Sequence, residues 1–167
     1  LRNMMGDEAL CYAVYDDPEL VEAITADYVD MCIRLWELLC RDVRFDLIES
    51  WEDMAGKSGS IVSPVCFERF LAPQFRKIRG FADAHAIPIV LVDSDGNITA
   101  LIDAWVNGGV NMLCPLEVQA GMDINALQRQ YGDRVFWSGG IHKPALAGGE
   151  AAIAAELKRV RPAVERG

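Results

Sequence analysis

Two patterns of apolar residues alternate along the chain, one with helical spacing and one made of short continuous runs. Helical spacing predicts helices over 17–40, 65–84, 98–107, 124–131 and 150–163. Short apolar runs predict strands over 43–50, 87–92, 110–114 and 134–138. A helix follows each strand, and no hairpin turn separates two strands. This order predicts successive βαβ units on a parallel sheet.

Several helix boundaries carry recognisable signals. Asp17-Pro18-Glu19 and Ser63-Pro64 are typical helix starts, in which an N-cap residue directly precedes a proline. The glycine-rich segment at 56–60 is expected to be a loop. Pro73 interrupts the helix over 65–84, so we expect a kink near Leu71 or two helices that meet there. Pro162 is expected to end the last helix, because proline cannot donate the hydrogen bond that a helix interior needs.

The first long helix carries its apolar residues on one stripe. The members of the stripe are spaced by three or four positions: Leu20, Ile24, Tyr28, Met31, Leu35 and Leu38. The charged residues Asp27, Asp30, Arg34 and Glu37 lie off the stripe. The helix is therefore predicted to be amphipathic.

Polar residues follow the predicted strands. The strand over 87–92 is apolar to its last residue and then breaks into Asp93-Ser94-Asp95-Gly96-Asn97. Asp53, Glu117 and His142 come just after the ends of other strands. Because the carboxyl ends of parallel strands converge, these residues are candidates for one ligand site. A solvated turn with an N-cap also uses Asp, Ser, Gly and Asn, and it remains the alternative.

Two architectures fit the strand and helix order: a doubly wound open sheet, or part of an eight-stranded β/α barrel. No strand is followed by a G-x-G-x-x-G segment or by a phosphate-binding lysine motif. In a barrel, all of the strand-end residues would face the same mouth. We therefore predict an α/β fold that is a partial (β/α)8 barrel, with parallel strands alternating with helices in a single domain, 1–167.

Composition narrows the classes of partner. The 167 residues include 25 Asp and Glu against 16 Lys and Arg, so the net charge is −9. This balance argues against nucleic acid and against an anionic membrane surface. The apolar runs fall short of the ~20 residues of a membrane span, and the start shows no signal-peptide pattern.

The cysteines indicate the compartment. Five are widely spaced, without a C-x-x-C pair, and most have apolar neighbours: Cys11, Cys32, Cys40, Cys66 and Cys114. They are interpreted as reduced, small core residues of a cytoplasmic protein.

A series of short motifs runs through nearly the whole chain. The motifs are Met5-Gly6, Asp17-Pro18-Glu19-Leu20, WEDMAG at 51–56, Ser63-Pro64, DSDGN at 93–97, Gly109-Val110-Asn111, Pro115-Leu116-Glu117, Gly121-Met122-Asp123, Tyr131-Gly132 and GGIHK at 139–143. Their order resembles the uroporphyrinogen decarboxylase superfamily, which includes porphyrinogen decarboxylases and methyltransferases that use corrinoids and coenzyme M. The resemblance implies a β/α barrel about twice this long. This chain would then be its middle and later part, truncated at both ends.

The resemblance assigns provisional roles at the strand ends. Zinc-binding methyltransferases of the superfamily carry His-x-Cys where this chain has Asp93 and Asp95. Two carboxylates there would bind zinc or another divalent metal, or would hold substrate hydroxyls or a cationic group. If they are buried together, their repulsion would raise one pKa, so that Asp93 or Asp95 would serve as a catalytic acid at neutral pH. His142 replaces the usual Asp of the family and is a candidate metal ligand, acid or base. Glu117 is a candidate general base.

The remaining site candidates are residues that would contact substrate. They are Asp53, Asn97, Gly139 and Gly140. Asp53 stands where the decarboxylases have a serine that contacts substrate. The two glycines leave room for a ligand to approach the backbone closely.

Within the superfamily, the DSDGN segment favours the methyltransferase-like branch, acting on a small methylated substrate with a corrinoid carried by a partner protein. One alternative is decarboxylation of a porphyrinogen, which needs no metal or cofactor in that family. The other is an inactive half-barrel that only associates. Because a partial barrel exposes two sheet edges and apolar side chains, we expect a homo-oligomer.

Overall fold

The computed structural model describes residues 1–166 and is built on one four-stranded parallel sheet. Gly167, the last residue of the predicted domain, lies outside the described residues. The strands in chain order are β1 (Leu47–Trp51), β2 (Ala55–Gly56), β3 (Gly59–Ser60), β4 (Ile89–Asp93), β5 (Met112–Leu116) and β6 (Phe136–Gly139). The sheet order is β1-β4-β5-β6, so each sheet strand pairs with the next one along the chain. The predicted parallel α/β sheet is confirmed.

The helices of residues 1–166 occupy most of the intervening chain. They are α1 (Arg2–Met5), α2 (Asp7–Asp16), α3 (Pro18–Leu39), α4 (Pro64–Phe70), α5 (Ala72–Ala84), α6 (Ile102–Asn107), α7 (Ile124–Tyr131), α8 (Lys143–Ala147) and α9 (Glu150–Val164). Two 3-10 turns, Val118–Ala120 and Gly132–Arg134, complete the set. None of these helices combines the length and apolar character needed to cross a membrane.

The predicted helix starts are confirmed in atomic detail. The Asp17 carboxylate accepts a hydrogen bond from the Leu20 amide at 3.2 Å, and the Ser63 hydroxyl accepts one from the Cys66 amide at 3.1 Å. Each satisfies an amide that the first turn of a helix leaves without a partner. The predicted break near Leu71 is also confirmed, because α4 ends at Phe70 and α5 begins at Ala72.

The two faces of the sheet differ in what covers them. Side chains of one face, including Ile48, Val90, Val92 and Leu113, are buried in the main core together with aromatic residues of α4, α5 and α6. On the opposite face the strand register places Leu47, Trp51 and Phe136, all three exposed. The core therefore lies between the sheet and its helices, on one side of the sheet.

Several boundaries differ from the sequence prediction. The strands β1, β5 and β6 begin two to four residues later than predicted, at Leu47, Met112 and Phe136. The helix predicted from residue 98 begins at Ile102, after a turn in which the Leu101 amide donates to the Ile98 carbonyl. Strand ends depend on where the neighbouring strand begins and ends, which local patterns do not encode.

Two predictions are wrong. The glycine-rich segment at 56–60, predicted as a loop, forms most of the antiparallel β2–β3 hairpin. Pro162 lies inside α9, which continues to Val164. Only two helical residues follow this proline, so the helix loses a hydrogen bond only near its last turn.

Helix α3 presents its apolar stripe mainly to solvent. Leu20, Tyr28, Met31, Leu35 and Leu38 are each between 43% and 60% exposed. The core instead receives the adjacent side of the helix, with Val21 and Thr25 buried and Val29, Ile33 and Trp36 partly buried. Within residues 1–166, α3 thus has a second apolar face without a covering element.

The cysteines are free, as predicted, but none is fully buried, and only Cys40 and Cys66 are among the residues packed against the hydrophobic clusters. Cys11 is exposed, and the other four are partly buried. Apolar neighbours in the sequence wrongly predicted that the cysteines are buried. Four of the five cysteines lie on a helix or at its end, and residues adjacent in a helix point in different directions.

Candidate functional site

The carboxyl ends of β1, β4 and β5 bring together four of the predicted site residues, Asp53, Asp93, Asp95 and Glu117. We name this group the acidic edge. The Asp95 amide donates to Asp53 Oδ1 at 3.3 Å, and the Gly96 amide donates to Glu117 Oε2 at 3.0 Å. The loop after β4 is therefore linked to Asp53, about 40 residues earlier in the chain, and to Glu117, about 20 residues later. Such convergence is expected at the carboxyl ends of parallel strands.

Backbone hydrogen bonds hold the start of the loop after β4. Ser94 is fully buried, its amide donates to the Cys114 carbonyl at 2.7 Å, and its hydroxyl accepts from the Met54 amide at 2.9 Å. The Glu52 amide donates to the Asp93 carbonyl at 2.8 Å. The loop is thus fixed from both neighbouring strands.

The β2–β3 hairpin lies directly against the same loop. Gly96 has a φ of +84°, and a Cβ atom on it would lie 2.6 Å from the Ala55 carbonyl oxygen and 2.7 Å from that of Gly56. The next amide, of Asn97, donates to the Gly56 carbonyl at 2.9 Å. Glycine is required here by both the backbone conformation and the contact.

Negative charge dominates the acidic edge. Partial burial and the neighbouring charges of Glu117, Asp53 and Asp93 raise the pKa of Asp95, and the Lys143 ammonium opposes this shift. Lys143 Nζ lies 3.5 Å from Glu117 Oε1. Four carboxylates thus share one nearby lysine, which favours a cationic ligand or one that donates hydrogen bonds.

The thiol of Cys114 belongs to the same neighbourhood. It donates to Asp93 Oδ2 at an Sγ–O distance of 3.5 Å. Burial, the Asp93 charge and this hydrogen bond raise the pKa of Cys114 to about 11. The group is therefore a neutral thiol at pH 7 rather than a thiolate nucleophile.

The segment after β1 contains two unusual residues. Asp53 has a φ of 40°, in the left-handed region that non-glycine residues enter at a cost of about 1–3 kcal/mol. Burial raises the pKa of Glu52 to about 7, although the positive charge of Arg2 opposes it. From the sequence, Glu52 and Asp53 fit a solvated loop as well as they fit a ligand site. Only their position after a predicted strand indicated a site.

A cleft of about 170 Å³ adjoins the acidic edge between the ends of β5 and β6. Its lining includes Pro115, Leu116, Glu117, Gly139, Gly140 and Lys143. A Cβ atom on Gly139 would lie 2.8 Å from the Leu116 amide nitrogen, and one on Gly140 would lie 2.9 Å from Ile124 Cβ. These glycines border the cleft, but their contacts with neighbouring residues already require them to be glycine.

Asn97 and His142 have other roles in the described contacts. The Asn97 amide group donates to the Ala120 carbonyl at 3.0 Å and accepts from the Thr99 amide at 3.1 Å, so it joins the loop after β4 to the turn after β5. The His142 backbone amide donates to Glu156 Oε1 at 2.6 Å. No described hydrogen bond joins the His142 ring to the acidic edge.

The donor set for a metal ion is incomplete in the part of the chain that the structure describes. Among residues 1–166, no group of three or more His, Cys, Asp or Glu side chains is arranged to hold a metal. Zinc sites need at least three protein ligands. As arranged, Asp93, Asp95 and His142 do not fit a resident zinc ion, and the metal stays a prediction.

Comparison of the chain with protein-family models, curated proteins and solved structures finds no match. The resemblance to the uroporphyrinogen decarboxylase superfamily therefore stays a prediction. The case for a function rests on the acidic edge and on the sheet that forms it.

Proposed function

We propose that the chain is a β/α-barrel domain of the uroporphyrinogen decarboxylase superfamily that acts, in the methyltransferase-like branch, on a small methylated compound. The observation that carries the proposal is the acidic edge at the carboxyl ends of β1, β4 and β5. The sheet order supports the barrel, because successive parallel strands lie side by side in a β/α barrel, whereas a doubly wound sheet reverses its order.

The charge of the site favours one class of substrate. Asp53, Asp93, Asp95 and Glu117 outnumber Lys143, so a methylated compound with a positive charge, such as a methylated ammonium, would be attracted. A porphyrinogen carries carboxylate side chains, and the same charge would repel it. Decarboxylation of a porphyrinogen is therefore the less favoured candidate.

The proposed roles follow from the contacts of each carboxylate. Asp93 and Asp95 bind and orient the cationic group, because their side chains do not anchor the loop backbone. Asp53 and Glu117 hold the loop through the Asp95 and Gly96 amides. A corrinoid on a partner protein would supply the acceptor for the methyl group.

Ligand binding tests the proposal. Titration with small methylated ammonium compounds, followed by calorimetry and by amide NMR shifts, should give saturable binding to the wild-type chain. The double substitution Asp93→Asn and Asp95→Asn should weaken binding at least about a hundredfold, because each of the two lost charge-assisted contacts is worth about 1.5–3 kcal/mol. Circular dichroism should show that the variant is folded.

A matched control removes the same charge elsewhere. Asp16 and Asp133 are exposed, and replacing both with Asn should leave binding unchanged. Equal binding by wild type and the Asp93/Asp95 variant would place the site elsewhere. Turnover of a porphyrinogen without metal would contradict the methyltransferase-like assignment. A folded chain that binds none of these ligands would instead be the inactive, associating half-barrel.

A further inference from the structure

The exposed apolar face of α3 has the spacing of a helix-pairing surface. Ile24, Tyr28, Met31, Leu35 and Leu38 are separated by four, three, four and three residues, and we name them the α3 seam. This alternation is the a/d repeat of coiled coils, in which each seam residue packs against a facing helix. Tyr28, Met31, Leu35 and Leu38 are each more than half exposed.

The seam is additional to the face that α3 uses in its own core. Val21 and Thr25 are buried, Val21 in a small cluster with Ala13 and Phe70, and Trp36 packs on the main core. A surface helix needs one apolar stripe facing the core, and its other positions are usually polar. The second stripe therefore calls for a second partner. We propose that the α3 seam pairs with the α3 seam of a second copy of this chain, in antiparallel orientation.

Charge complementarity selects a second copy as the partner. Asp27 and Arg34 flank the seam on the same side, seven residues apart, so they occupy equivalent positions of the repeat. Both are exposed, and neither forms an ion pair among residues 1–166. By contrast, Asp30 and Glu22 pair with Lys77 of α5 and Arg69 of α4.

The same residues specify the antiparallel direction. With a two-fold axis at Met31, Ile24 lies opposite Leu38 of the second copy. Asp27, four residues before the axis, then lies within one residue, about 1.5 Å along the helix, of Arg34 of the second copy, and the symmetry repeats this ion pair. In a parallel pair the flanking positions would instead face Cys32 and Leu39, which carry no complementary charge.

The size of the surface sets the expected affinity. A 22-residue helix is ~33 Å long, and the seam covers about two heptads of it. Stable interfaces bury about 800 Å² on each partner, and smaller ones are reversible. We therefore expect a dimer with a dissociation constant in the micromolar range.

Sedimentation over a concentration series tests the pairing. The wild-type chain should dimerise, and Leu35→Glu should remove the dimer. D27R and R34D should each weaken dimerisation at least about fivefold, because each places two like-charge pairs across the interface. Mixing these two variants in equal amounts should restore a dimer, because a copy with two arginines then faces a copy with two aspartates.

The mixture separates pairing from a folding defect. A misfolded variant would not be rescued by mixing with a second variant. The control variants D42R and R44D exchange exposed charges outside the seam, and they should leave dimerisation unchanged. The proposal is overturned if the wild-type chain stays monomeric at all concentrations. This holds also if another polypeptide segment is found to cover α3 in that monomer. It is also overturned by a dimer that D27R and R34D do not weaken, or by variants that fail to pair when mixed. Ligand binding at the acidic edge can be measured on Leu35→Glu, so the two proposals fail separately.

Discussion

Substitution of Gly96 by alanine should destabilise the chain more than a similar substitution elsewhere. The added Cβ would lie 2.6 Å from the Ala55 carbonyl oxygen and 2.7 Å from the Ala55 carbonyl carbon and the Gly56 oxygen. All three are backbone atoms, so relief requires the hairpin to move as a unit. Its movement would lengthen the Asn97–Gly56 hydrogen bond, which is 2.9 Å.

The magnitude is the sum of three separate effects. A positive φ costs alanine about 1–3 kcal/mol. Forcing an extra methyl group into a closed contact costs about 1–3 kcal/mol. Weakening one backbone hydrogen bond costs about 0.5–1.5 kcal/mol. Gly96→Ala should therefore lower the free energy of unfolding by about 2.5–7.5 kcal/mol, a large part of the roughly 5–15 kcal/mol typical of a domain.

Urea unfolding measures this change, and Gly149 provides the control. Its φ is +83°, within 1° of that of Gly96, but no neighbouring atom lies within 4 Å of the point that a Cβ would occupy. Gly149→Ala should lose about 1–3 kcal/mol, which reports the backbone conformation and the N-cap position of Gly149 in α9 without any steric contact. Equal destabilisation by the two substitutions would refute the claim that the hairpin presses on the loop.

Two further predictions concern buried polar contacts. Ser94→Ala should cost about 1–3 kcal/mol in urea unfolding, because the buried Met54 amide would lose its acceptor, and a cost below the lower limit would contradict this role. The Arg159 side chain and the His142 amide lower the pKa of Glu156 from 4.5 to about 2. The ionised Glu156 carboxylate therefore stabilises the folded chain fully above pH 4.5, and this stabilisation is lost as the pH falls towards 2. In Glu156→Gln, the loss of stability over this range should be smaller than in wild type. Glu68→Gln should follow wild type, because Glu68 is exposed and is in no ion pair among residues 1–166.

Local signals in the sequence predicted the elements that depend on neighbouring residues. The N-caps Asp17 and Ser63 and the break at Leu71 depend on contacts within four residues, and all three are confirmed. The apolar run over 87–92 predicted a buried strand, and Val90 and Val92 have no exposed surface. Patterns of this kind encode the period of the element directly.

Features that depend on distant residues could not be predicted. The β2–β3 hairpin is two residues per strand, too short for a pattern, and it packs on the loop that contains Gly96. The α3 stripe identified a helix, but it did not show which face meets the core, because α3 has apolar residues on both sides. Convergence of Asp53, Asp95 and Glu117 followed from topology, whereas the role of Lys143 beside them did not.

The hydrogen bonds of the acidic edge divide its carboxylates into two groups with different freedom to change. Asp53 and Glu117 hold backbone amides, so substitutions there would disturb the loop itself. The side chains of Asp93 and Asp95 hold none of these amides, and the loop is anchored around them by Ser94 and the hairpin. Ligand preference could therefore diverge through two positions, 93 and 95, while the scaffold that presents them stays the same.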